Sequence, residues 1–298
     1  MPKAGPDYRI RPMSRAEVEM AVNWAAAEGW NPGLRDAECF YQADPGGFWV
    51  GLLDGEPVAT VSAVRYGESF GFVGFYIVKP EYRGQGYGLQ IWQAAIARLE
   101  GRTVGLDGVV AQQENYRRSG FVLAHRNARY QGILGGEMSA VDPAIASLQT
   151  IPFEQLCRYD APFFPGGTAT QPTTQRAAFL RGWLEAPHIG LGYLRDERML
   201  GYGVIRPCQS GYKVGPLFAD EEAIAERLFL ALRQMALSQT PDPATPIFLD
   251  IPVVNAAAQA LTARYRMTQV FETARMYLGP PPELPLERLF GVTSFELG

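Results

Sequence analysis

The sequence predicts an α/β (α+β) protein of two tandem, similar domains, each a mixed and mainly antiparallel sheet flanked by helices. Three observations carry that expectation. The first half runs strand, helix, hairpin, apolar strand, amphipathic helix; a glycine cluster sits between that apolar strand and that helix; and the same order of elements recurs, with a few collinear identities, in the second half.

Tyr8-Arg-Ile-Arg11 is a short strand, and Ser14 with Glu17 has the capping-box spacing that opens a helix ending before Gly29. Residues 48–53 and 57–64 flank Asp54-Gly55, a hairpin turn signal. Residues 71–78 are almost continuously apolar or aromatic, as a central strand covered on both faces requires. Leu89, Trp92, Ile96 and Leu99 then recur at helical spacing. Residues 104–110 form the next strand, 112–119 a short helix stopped by Gly120, and 121–126 a return strand.

The second half repeats this plan. Gly51 to Arg65 lies over Gly192 to Arg206 without a gap, Gly74 falls on Gly215, Asp107 on Asp250, and the Ala-Arg pair before Gly132 on the one before Gly279. The boundaries that follow are 1–140 and 150–298. The glycine cluster is absent from the second copy, where Ala223 to Leu228 lead directly into an amphipathic helix.

Composition excludes several classes of function. The chain has 298 residues, 47% hydrophobic and 19% charged, with a net charge of -4, so it carries no general attraction for nucleic acid or anionic membranes and neither partner is expected. It contains no run long enough to span a bilayer, and its first residues lack the apolar core of a signal peptide, so a cytoplasmic location is expected. Cys39, Cys157 and Cys208 are widely spaced and odd in number, and the histidines are only His125 and His188; neither a disulfide framework nor a metal site is expected.

The segment Arg83-Gly-Gln-Gly-Tyr-Gly88 is where chemistry enters. Glycine at a helix start lowers stability by up to about 1 kcal/mol relative to alanine. Consecutive main-chain amides in a glycine turn at a helix N-terminus form a concave anion site, and a bound phosphate would compensate. The spacing fits neither the Lys-Ser/Thr ending of a Walker loop nor a dinucleotide fingerprint.

Residues 78–88 resemble motif A of the GNAT acyl-CoA-dependent N-acyltransferases, Arg/Gln-x-x-Gly-x-Gly/Ala, matched by Arg83, Gly86 and Gly88 after the apolar strand. The resemblance covers the first half. It implies that the amides of Arg83, Gly84, Gln85, Gly86, Tyr87 and Gly88 hold the pyrophosphate of acetyl-CoA, and that the main chain of Tyr76, Ile77 and Val78 pairs with its pantetheine arm. Tyr116-Arg-Arg-Ser-Gly120-Phe121 is similar to the family's Tyr-x-x-x-Gly-Phe segment, which implies that Tyr116 protonates the departing thiolate. Asn115, Gln112 and Gln113 are the candidates for the family's cofactor-contacting Asn, and the Val78 amide is the candidate oxyanion donor.

The base is open between Glu68, Asp107 and a water chain to bulk solvent, Asp107 with a structural alternative because Asp250 repeats it. The second half resembles the GNAT-like C-terminal domain of some bacterial tandem proteins. Tyr159, Asp160 and Asp250 are candidates to wall an acceptor cleft between the halves. The activity implied is acetyl transfer to a small-molecule amine by direct attack in a ternary complex, with a homodimer as the candidate assembly. A binding or sensor protein that holds acyl-CoA without turnover stands beside it, because no base is evident.

Overall fold

The computed structural model describes residues 7–136, 142–166, 173–240 and 242–298. In the first half, β1 (Tyr8–Pro12), α1 (Arg15–Ala27), α2 (Asp36–Ala43), β2 (Phe48–Leu53), β3 (Glu56–Tyr66), β4 (Phe70–Val78), α3 (Tyr87–Arg98), β5 (Thr103–Val109), α4 (Gln113–Arg118) and β6 (Val122–Ile133) follow in order. The second half contains β7 (Ile145–Ser147), α5 (Phe153–Asp160), α6 (Thr174–Trp183), β8 (Ile189–Arg195), β9 (Arg198–Pro207) and β10 (Tyr212–Ala219). It ends with α7 (Glu222–Leu237), β11 (Pro246–Pro252), α8 (Ala256–Arg264), β12 (Thr268–Leu278) and β13 (Leu289–Gly291). Ser14 opens α1 as its spacing predicts, its amide donating to the Glu17 carboxylate at 2.8 Å. Part of the junction expected near 140 and Gly167 lie outside the described residues.

All the strands join one sheet, in the order β1-β2-β3-β4-β5-β12-β6-β11-β10-β9-β8-β7, with β13 added beside β10. Pairing is antiparallel except at β4–β5 and β10–β11, the same place in each half. The two halves exchange their long last strands. β6 follows β5 in the chain but lies between β11 and β12, and β12 follows β11 but lies between β5 and β6. A division of the sequence near residue 140 therefore cuts the chain but not the sheet.

Two buried ion pairs fix this exchange. On β12, Arg275 lies opposite Asp107 of β5 and grips it through Nε and Nη2 at 2.9 and 2.6 Å. On β6, Arg129 lies opposite Asp250 of β11 and grips it in the same way, both bonds 2.7 Å. These are the Asp and Arg positions that the repeat superposes. Their bidentate geometry is what a buried carboxylate requires, since desolvation is offset only when both oxygens are satisfied.

Helices cover both faces of the sheet. On one face, α3 packs Ile91, Trp92 and Ala95 against the first half, and α7 packs Leu228, Phe229 and Leu232 against the second. On the other face the halves share a core. Phe40 of α2 stacks on Phe179 and Trp183 of α6, at ring separations of 6.4 and 6.1 Å. The short helix α2 is too brief to declare itself by periodicity; its buried Cys39, Phe40 and Ala43 acquire meaning only against α6. All three cysteines are buried and free, and no group of metal-ligating side chains occurs among the described residues. No described helix is long and apolar enough to cross a membrane.

Replacing Arg275→Met leaves the Asp107 charge buried and unpaired, so the variant loses about 3–5 kcal/mol of stability, read as a lowered urea midpoint. A second expectation concerns pH. His188 is buried beside Trp183, its Nδ1–H donating to the Trp183 carbonyl at 3.0 Å, and burial with Arg206 nearby lowers its pKa from 6.5 to about 4. The folded state favours the neutral ring, so its stabilising contribution is complete above pH 6.5 and is lost as pH falls from there toward 4, on the order of 3 kcal/mol. Urea melts at pH 7 and pH 4.5 test this: the difference between the two is smaller in His188→Gln than in wild type.

Candidate active site

The site begins where β4 leaves β5. The two pair in parallel only from Phe70 to Val73, after which β4 bulges: Phe75 and Tyr76 together face the single Val61 of β3. Phe75 is held at φ +47°, and its carbonyl accepts a 2.8 Å bond from the Thr60 hydroxyl. Such a conformation in a bulky residue is strained and is stabilised by its surroundings. Beyond the bulge the edge of β4 is unpaired. The Lys79 amide donates back to Val58 of β3 at 3.0 Å, and amides alternate along a strand, so those of Val78 and Tyr76 face the gap.

A cavity of about 500 Å³ occupies that gap. Its floor is residues 74–78 of β4, and one end is the loop before α3. Among the described residues, no main-chain amide from Gly84 to Leu89 donates to a protein acceptor. Six consecutive donors at the positive end of α3 form an anion cradle, with no acidic residue in the first turn to oppose it. Gly84 and Gly86 sit at φ +76° and +87°, and a Cβ on either would meet nothing within 4 Å. Their need is conformational, and the space over them is open to a ligand. Gly88 has another reason. A Cβ there would come within 2.8 Å of the Tyr76 hydroxyl, so this glycine serves helix–strand packing. These residues fit the diphosphate of an acyl-CoA.

Arg83 lines the same end, but its guanidinium is committed: Nε donates to the Val78 carbonyl at 2.8 Å and Nη2 to Glu28 at 2.6 Å. It anchors the loop to β4 and α1. The side chains of Gln85 and Tyr87 do not line the cavity, so only their amides bear on a ligand.

Tyr116 of α4 lines the cavity and is 8% exposed. Its ring occupies the space over Gly108 of β5, where a Cβ would lie 2.2 Å from it, and packs 5.5 Å from Trp92. Burial, with a smaller contribution from Tyr76, pushes its hydroxyl well above the usual phenol range. Among the described residues that hydroxyl has no hydrogen-bond partner. It is a protonated donor facing the cavity.

Other expected residues lie elsewhere. Asn115 is exposed and donates to the Gln112 side chain at 2.6 Å; Gln112 lines the cavity, while Gln113 is buried beneath it. Glu68 is exposed on the turn before β4, roughly 30 Å of strand from Val78 at 3.3 Å per residue, and does not reach the cavity. Asp107 borders the cavity, but Arg275 and Asn127 occupy its oxygens, the latter bond 2.8 Å. Asp160 is enclosed by Arg176 and Tyr202, Tyr159 bonds Asp220 at 2.8 Å, and Asp250 is held by Arg129. None of these three walls the cavity.

The second half does contribute, through residues the sequence reading did not select. Phe271 and Thr273 of β12, and Phe295 and Glu296 of the C-terminal segment, line the cavity beside Arg129 and Trp30. No local signal marked them: Val292-Thr-Ser-Phe-Glu-Leu-Gly298 has three apolar residues of seven, no more than the 47% of the whole chain. The same segment closes the equivalent gap in its own half. There β10 and β11 pair only from Tyr212 to Val214, and β13 fills the slot, Leu217 opposite Gly291 and Phe218 opposite Leu289.

Comparison with known proteins agrees with this architecture. Residues 15–121 match the model described as the acetyltransferase (GNAT) family, and residues 168–291 the one described as an acetyltransferase (GNAT) domain. The holothin acyltransferase of Pseudoalteromonas sp. (strain SANK 73390) is 32% identical over 98% of this chain and 95% of its own. A Pyrococcus horikoshii structure assigned to the acetyltransferases superposes with a TM-score of 0.77 at 22% identity, covering 98% of this chain and 96% of that one. A tandem GNAT protein from the clavulanic acid biosynthesis pathway superposes with a TM-score of 0.64 at 15% identity, covering 93% and 100%. With two such domains in one chain and a full-length acyltransferase relative, this protein belongs to the GNAT superfamily of acyltransferases, in its tandem form.

Proposed function

We propose that this protein transfers an acetyl group from acetyl-CoA to the amine of a small molecule, by direct attack with both substrates bound in the cavity beside β4, which the second half helps to wall. The observation that carries this reading is the pairing of six unused amides at the start of α3 with the unpartnered Tyr116 hydroxyl in one cavity. The holothin acyltransferase name supports a small-molecule acceptor, and the apolar walls of Trp30, Phe271 and Phe295 support one with a flat, apolar body.

The acyl-CoA supplies a thioester, whose carbonyl carbon is the electrophile. The chain's own groups do the rest. Amides from Gly84 to Leu89 bind the diphosphate, and the open edge of β4 hydrogen-bonds the pantetheine arm. The Val78 amide, facing the gap, stabilises negative charge developing on the carbonyl oxygen. Tyr116 gives its proton to the sulfur as the C–S bond breaks. Cytoplasmic operation fits these substrates.

Acetyl-CoA at 100 times its Kd raises the stability of the wild type by about 2.7 kcal/mol in thermal unfolding, and Gly86→Asp, which sets a carboxylate over the amide cradle, abolishes that gain. Equal midpoints with and without acetyl-CoA in the wild type would remove the cofactor assignment. Tyr116→Phe keeps the stabilisation but lowers kcat for amine-dependent thiol release by roughly 10²–10⁴-fold. A variant with unchanged kcat would show that another group protonates the sulfur.

A further inference from the structure

An amine that bonds to an acyl carbon must give up a proton, and of the two carboxylates expected to take it, Glu68 lies outside the cavity and Asp107 is held by Arg275. Glu296 is placed differently. It lines the cavity, and among the described residues its carboxylate makes no hydrogen bond and no ion pair. Its backbone position is closely determined. The Glu296 carbonyl oxygen stands where a Cβ on Gly74 would come within 2.2 Å of it, so position 74, at the β4 bulge, has no room for a side chain. The Tyr66 hydroxyl donates to the next carbonyl, that of Leu297, at 3.2 Å, and the Gly298 amide returns to Ser294 at 3.1 Å.

The charges of Lys213 of β10, Arg129 of β6, Asp36 of α2 and Arg206 of β9 act on Glu296. Arg129 is paired with Asp250, and Arg206 with Asp36 at 3.0 Å. Among the described residues, Lys213 donates to the Asn31 carbonyl alone, at 2.8 Å. Among the described residues none of these groups bonds the Glu296 carboxylate, and the residue lines the cavity.

We infer that Glu296, delivered by the C-terminal segment of the second half, is the general base that takes the proton from the acceptor amine at the active site of the first. This rests on the acyl-transfer reading above. The step balances. The amine nitrogen bonds to the carbonyl carbon as the C–S bond breaks, its proton goes to Glu296, and the sulfur receives the proton of Tyr116; solvent exchange then restores both side chains. Burial raises the proton affinity of Glu296 above the ordinary glutamate value, against the opposing pull of Lys213 and Arg129. That direction brings a carboxylate closer to the pH at which a base works best.

The experiment uses the full chain, acetyl-CoA, and a panel of primary amines that includes benzylamine and tryptamine, read as amine-dependent thiol release. With the amine that the wild type turns over fastest, Glu296→Gln lowers kcat/KM by roughly 10²–10⁴-fold and abolishes the acidic limb of its pH profile. The stabilisation by acetyl-CoA stays at the wild-type value, showing that the variant is folded and that the cofactor reading is intact. Glu296→Ala is equally impaired and regains at least tenfold in rate with added formate, which a purely structural carboxylate would not produce. A Glu296→Gln enzyme within threefold of wild type, or one that keeps the acidic limb, overturns the assignment of the base and leaves the acyl-transfer reading standing. Absence of thiol release with every amine in the wild type removes the acyl-transfer reading itself, and the base with it.

Discussion

The crossed ion pairs Asp107–Arg275 and Asp250–Arg129 are the constraint on which the rest of the molecule depends. Each joins a strand of one half to the exchanged strand of the other, and each is buried, so breaking either would leave an unpaired charge with little solvent around it. Once β6 and β12 are fixed in these registers, the halves cannot behave as separate bodies. β12 then carries Phe271 and Thr273 into the cavity of the first half, and β6 carries Arg129. A duplicated fold has in this way become a single sheet whose first-half gap is walled by both halves.

The two gaps in that sheet began with the same geometry. In both halves the central strand bulges beside a glycine, just after Gly74 in β4 and at Gly215 in β10, and parts from its parallel neighbour. The C-terminal segment treats them differently. At Gly215 a Cβ would meet the Val292 and Thr293 carbonyls at 2.6 and 2.7 Å, and β13 pairs along β10, so the second gap is filled by the chain's own backbone. A few residues later the segment passes Gly74 at the first gap without entering it, leaving the edge of β4 open beyond the bulge. The second half also starts α7 with Glu221 and Glu222 in place of glycines, which sets negative charge where an anion cradle would have to be. The loss of ligand space and the loss of ligand chemistry occur together.

Much of this architecture is written in local pattern. The capping box at Ser14, the Asp54-Gly55 turn, the apolar run of β4 and the helical spacing of α3 each specify an element through neighbours a few residues away, and each element forms there. The glycine cluster is legible for the same reason, since positive φ at Gly84 and Gly86 is a local demand that few other residues meet. Tyr116 was readable only through the resemblance of residues 116–121 to the family's Tyr-x-x-x-Gly-Phe segment. Asn115 misled because the helix turns it outward to Gln112, an orientation that spacing alone does not fix.

By itself the sequence determined the two-fold repeat, the order of elements and the glycine-rich turn before α3, all of which depend on contacts within a strand, a turn or a helix. Only the tertiary structure decided that the last strands cross over, that Asp107 is an anchor and no free base, and that residues near 295 belong to a cavity built around residues 74–88. The physical reason is separation along the chain. Arg275 and Asp107 carry no local sign of one another, and Glu296 meets Gly74 only because a sheet more than two hundred residues in the making brings the tail across the bulge.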